Sequence, residues 1–98
     1  MANSHKSFTN VTAATNAVTG VPNLTLVGFS AKNFHSSSTN SGFTLRSNGT
    51  NGSVVVHVNL AANESTREST LNIDMSGKDI WIADPSGQFD VTIYHRTE

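Results

Sequence analysis

Cysteine is absent from this chain of 98 residues. Neither a disulfide framework nor a thiolate metal site can therefore exist, and the fold must hold itself by burial or by association. Charge is sparse as well, with six Lys and Arg against seven Asp and Glu and a formal charge of −1. The cations Lys6, Lys32, Arg46, Arg67, Lys78 and Arg96 are scattered and form no basic stripe, so nucleic acid is not an expected partner. No segment approaches the roughly 20 apolar residues of a membrane span. The opening "MANSHKSFTNVTAATNAV" has no apolar run of signal-peptide length. The expectation is a protein with no membrane partner that is not exported by the usual route. Helical periodicity is also missing: apolar residues recur at i and i+2, and Thr, Val, Asn and Gly fill the intervals.

What is present is the period of a β-strand. Extended segments are expected at Phe8 to Val18, Asn23 to Phe34, Gly42 to Arg46, Ser53 to Leu60, Ser69 to Met75, Asp79 to Ala83 and Gln88 to His95. Each offers one apolar face, which predicts a core of Leu24, Leu26, Phe43, Leu45, Val54, Val56, Val58, Leu60, Leu71, Ile73, Ile80, Ile82, Phe89, Val91 and Ile93. The fold class is all-β, an antiparallel β-sandwich or jelly roll of about seven strands. The length fits one domain without a separate cofactor scaffold. Residues 1–20, rich in Thr, Asn and Ala, read as an N-terminal arm or edge strand, and 21–98 as the sandwich itself.

Two hairpins are expected. A turn at "SNGTNG" sets Leu45 against Val54 and Phe43 against Val56. A type I turn at Asp84-Pro85-Ser86-Gly87 sets Ile82 against Phe89 and Ile80 against Val91. The run "HSSSTNSG" from His35 to Gly42 contains no apolar residue and reads as an exposed loop.

Few residues are arranged for chemistry. The acids Glu64, Glu68, Asp74, Asp79, Asp84, Asp90 and Glu98 fall mostly at turns and strand ends, where solvated carboxylates are ordinary, and not as a pair across a cleft. "DMSGKD" lacks the alternating ligands and distal Glu of a calcium loop. His5, His35, His57 and His95 show no zinc-ligand spacing, although His57 and His95 lie on strands able to become neighbours. No Gly-x-Ser-x-Gly elbow occurs. The chain is not expected to be an enzyme or to use a cofactor or metal. Asn-x-Ser/Thr stands at Asn10, Asn23, Asn48, Asn51 and Asn63, which reads as a by-product of an Asn-, Ser- and Thr-rich composition.

The outer faces are more informative. In the register expected for the second hairpin, Trp81 lies opposite Asp90, diagonal to Thr92, with Tyr94 further along the same face. The other hairpin shows Thr44, Val55 and His57 outward. Bulky residues in these places call for a covering, and the expected contact face is Trp81, Asp90, Thr92, Tyr94, Val55 and His57. A sister chain in a dimer or trimer is the preferred cover. A glycan is the alternative, stacked on Trp81 or Tyr94 with Asp90 or Asn59 accepting its hydroxyls.

From Gly42 onward, "LRSNGTNGSVVVHVNLAANES" followed by "STLNIDMSGKDIWIADPSGQFDVTIYHR" resembles small virion-associated β-proteins of tailed bacteriophages. The closing "GKDIWI…GQFDVTIYH" is similar to their last hairpin. The resemblance covers about the last 55 residues and lies in pattern and not in an invariant signature. It implies a homo-oligomeric, non-enzymatic capsid decoration or cement protein, assembled in a host cytoplasm onto a virion, with the major capsid protein or another virion protein as partner.

Overall fold

The computed structural model describes residues 3–34 and 41–97. The strands are β1 (Ser4–Val11), β2 (Thr15–Val18), β3 (Leu24–Asn33), β4 (Ser41–Ser47), β5 (Val54–Leu60), β6 (Ser65–Glu68), β7 (Ile73–Asp74), β8 (Ile80–Ala83) and β9 (Phe89–Thr97). Alternation builds them: along β9, Phe89, Val91 and Ile93 are buried while Asp90, Thr92 and Tyr94 are half-exposed.

One sheet has the order β1-β9-β3-β6, with β7 also paired to β3; the other has the order β2-β8-β4-β5. They are called here the β9 sheet and the β8 sheet. Taking β6 and β7 as one interrupted strand, this is the strand order of a jelly roll, two four-stranded antiparallel sheets closed over one core. The interruption has a local cause. Strand β3 carries a bulge between Leu26 and Gly28, and the carbonyl of the bulged Val27 accepts the Leu71 N–H at 2.8 Å in the gap between β6 and β7.

Inward side chains of both sheets meet in a single core. Phe43 of β4 and Phe89 of β9 join the layers edge to face, with ring centroids 5.0 Å apart. Such a geometry adds about 0.5–1.5 kcal/mol to the burial itself. Val11, Ala17, Val18, Val27, Phe29, Ala31, Met75 and Ala83 also belong to the interior. Val54, expected inside, is 50% exposed, while Val56, Leu71 and Ile73 are half-buried at the margin of the core.

Four sequence expectations are corrected. The first extended segment is two strands, since the chain turns at 12–14 and passes from the edge of the β9 sheet to the edge of the β8 sheet. The segment expected at Ser69 to Met75 is strand only at β7, and the other strand on that side of β3, β6, lies upstream in "STRE", which has no apolar residue to reveal it. Of the expected loop from His35 to Gly42, Ser41 and Gly42 belong to β4, and His35 to Asn40 lie outside the described residues.

The fourth correction concerns the hairpins. The first exists, but Leu45 pairs with Val56 and Phe43 with Val58, because the turn is longer and a bulge at Val55 falls between the Leu45 and Arg46 pairs. Each residue keeps its side of the sheet under this two-residue shift, except near the turn, where Val54 moves outward. The second is not a hairpin. Strand β8 pairs with β2 and β4, and β9 pairs with β1 and β3, so Asp84–Gly87 is an arch between sheets. The arch is tied to β4: Ser86 N–H donates to the Gly42 carbonyl at 2.9 Å, and Gly42 N–H donates to Ser86 Oγ at 2.8 Å. Ile82 and Phe89 enter the core from opposite sheets instead of pairing in one ladder.

Candidate functional site: two separate outer faces

The arch separates the expected contact face. Asp90, Thr92 and Tyr94 lie on the outside of the β9 sheet, while Trp81, Val55 and His57 lie on the outside of the β8 sheet. Trp81 is therefore not opposite Asp90; its register neighbours are Asn16 and Arg46. A sugar stacked on Trp81 cannot also reach Asp90, which is a sandwich thickness away.

On the β9 sheet, two rows run across three strands. The first is Thr92–Ser30–Arg67 and the second Asp90–Lys32–Ser65. Thr92 continues the first row by a 3.0 Å hydroxyl contact with Ser7 of β1. Between the rows lies a shallow open trough of about 460 Å³, lined by Ser30, Lys32, Ser65, Arg67, Asp90 and Thr92 among others. Lys32 Nζ is 4.8 Å from the centroid of the Phe34 ring, and the Arg67 guanidinium is 5.7 Å from that of Tyr94. His5 tilts against the other side of Tyr94 at 6.5 Å. Asp90 Oδ1 accepts the Asn10 N–H at 3.0 Å. The sequence reading missed Arg67 because an all-polar strand such as β6 gives alternation nothing to register, and it missed Ser30 and Lys32 of β3 because their pairing with β6 and β9 joins segments far apart in sequence.

On the β8 sheet, Trp81 is half-buried beside Arg46. That arginine is fully engaged: it donates to the Gly52 carbonyl at 2.8 Å and to Thr44 Oγ1 at 3.2 Å, and it pairs with Asp84 at 3.2 Å. Beyond it, β5 is an edge strand carrying Val54, half-exposed Val55 at the bulge, and exposed His57. The surface is apolar at Trp81, Val54 and Val55, with the Arg46–Asp84 pair beside it.

The described carboxylates are occupied in turns and joints. Glu64 accepts the Ala61 N–H at 2.8 Å, Asp74 the Ser76 N–H at 2.9 Å, and Asp79 the Gly20 N–H at 2.6 Å. Glu68 accepts from the Thr70 hydroxyl at 2.7 Å and from its N–H, which holds this exposed carboxyl below its ordinary value, and the Ser76 N–H does the same for Asp74. Asp74 and Asp79 of "DMSGKD" thus face different partners. His57 and His95 fall in different sheets. Among the described residues no group of three or more His, Cys, Asp or Glu is arranged to hold a metal ion. The imidazole of His95 has its Nδ1 buried without a hydrogen-bond partner, and its pKa is lowered, first by burial and then by Lys6 and His5.

No family model and no curated protein matches the chain. A solved chain from Bacillus endospore appendages, described as a novel family of disulfide-linked pili, has a TM-score of 0.48 and 13% identity, covering 98% of this chain and 85% of that one. The present chain contains no cysteine. A likeness of this size bears on neither family nor function.

Proposed function

We propose that this chain is a non-enzymatic structural protein that decorates or cements a bacteriophage capsid as a homo-oligomer. Its working surface in this reading is the outside of the β8 sheet. The observation that carries the reading is the apolar ground of Trp81, Val54 and Val55 on that side, with Val54 50% exposed at an edge strand. The jelly roll is an architecture used by viral capsid domains; of the phage resemblance, the strand-turn-strand pattern from Gly42 to Leu60 stands, whereas the segment likened to a closing hairpin is an arch between sheets. A protein that binds only the assembled shell stabilises it by mass action.

Light scattering of the purified chain over a concentration series, with Val54→Asp as the comparison, tests this. A dimer or trimer that weakens in the variant supports the reading. A strict monomer that also fails to co-sediment with emptied tailed-phage capsids removes it.

A further inference from the structure

We infer that the trough on the opposite side, outside the β9 sheet, is a binding site for an acidic saccharide. Its chemistry follows from the six-residue array. Arg67 and Lys32 are diagonal neighbours across β3 and β6, about 7–8 Å apart at the backbone. Each leans on an aromatic ring, Arg67 on Tyr94 and Lys32 on Phe34, so the cations stand toward opposite ends of the trough. Neither forms an ion pair; among the described residues the recorded salt bridge is Arg46–Asp84 on the other sheet. Asp90, directly across from Lys32, accepts the Asn10 N–H on its β1 side and makes no ion pair with that ammonium.

Between the cations the lining is made of hydroxyls, from Ser30, Ser65 and Thr92. Short side chains at the centre and long ones at the rim give the trough its concavity. Its volume of about 460 Å³ lies within the range of small-molecule sites, roughly 300–1,000 Å³. A ligand matching this surface carries anionic groups spaced along its length and hydroxyls between them. A chain of uronic acids meets both requirements: carboxylates for Arg67 and Lys32, and ring hydroxyls for the serines, Thr92 and the second oxygen of Asp90. A nucleic acid does not, because the trough offers two cations and an opposing acid where a phosphate backbone asks for a basic track.

The test is titration of the full chain with tetragalacturonate, followed by amide chemical shifts. Maltotetraose serves as the neutral control and inorganic sulfate as the free anion. Shifts confined to β3, β6 and β9 are expected, with affinity falling about tenfold in each of Lys32→Gln and Arg67→Gln, as the loss of one charge-assisted contact implies. Lys78→Gln, which removes an exposed cation outside the trough, should bind as the parent does. Equal binding of maltotetraose would show that charge is not read and overturn the inference. So would sulfate reproducing every shift and displacing the tetrasaccharide, or an absence of shifts in these strands at millimolar ligand.

Discussion

Asn33 is fully buried, and its Nδ2 donates to the carbonyls of Leu60 and Ala61, each at 3.2 Å. Its own backbone continues the joint, accepting the Asn63 N–H and donating to the Glu64 carbonyl, both at 2.9 Å. One side chain thus fastens the end of β5 in one sheet to β3 in the other. Asn33→Leu fits the volume but removes both of these bonds, leaving the Ala61 carbonyl with the Glu64 N–H alone, so urea denaturation should show a loss of about 1–3 kcal/mol. The same residue type has a second use here. Of the asparagines in Asn-x-Ser/Thr triplets, Asn10, Asn23, Asn48 and Asn63 have φ between 53° and 63°. Asn tolerates the left-handed region better than other residues with a Cβ, which gives the asparagine at these four positions a backbone reason. The sequence displayed these residues openly, yet composition alone could not reveal which of them stand at bends.

The Asp84–Gly87 arch shows what alternation can and cannot specify among elements. Two amphipathic strands joined by a Pro- and Gly-containing turn have the same pattern whether they pair side by side or face each other across a core. Local pattern therefore identified β8 and β9 as strands and Ile80, Ile82, Phe89, Val91 and Ile93 as core, and gave no information on which sheet each joins. The deciding contacts come from far away in sequence, Gly42 with Ser86 and Arg46 with Asp84. The candidate contact face was split for this reason. In a nuclear Overhauser experiment the backbone of Trp81 should show cross-strand contacts to Asn16 and Arg46 and none to Asp90; contacts to Asp90 would restore the hairpin. Strand β6 was illegible for a different cause, since an edge strand whose side chains are all polar is held by its ladder to β3.

For the whole molecule, proton linkage gives stability a definite direction with pH. His95 has a folded-state pKa below its ordinary 6.5, so the unfolded chain binds the proton more readily. Its contribution is complete above 6.5 and is lost as pH falls through that value toward the lower folded-state pKa. Glu68 and Asp74, also lowered, begin to lose theirs only as pH falls through 4.5 and 3.8. Denaturation midpoints should therefore decline in two stages as pH falls through 6.5 and then through 4.5, and His95→Gln should flatten the upper stage alone. A midpoint that does not change across the upper stage would remove His95 from the account.

Strand β9 also sets the order of events during synthesis. It lies between β1 and β3, pairing Ser4 with His95 and Asn33 with Phe89, yet it leaves the ribosome after both of them. Until it arrives, β1 and β3 have no strand to bridge them and the layer opposite β8 is incomplete. Of the connections between successive strands, β4 to β5 alone closes a local hairpin. The nascent chain must therefore carry unpaired edges until β9 has been made, and it completes its core in one non-local step. A sparse complement of charge gives those waiting edges little protection, so chaperone occupancy during synthesis should be governed by how soon β9 emerges.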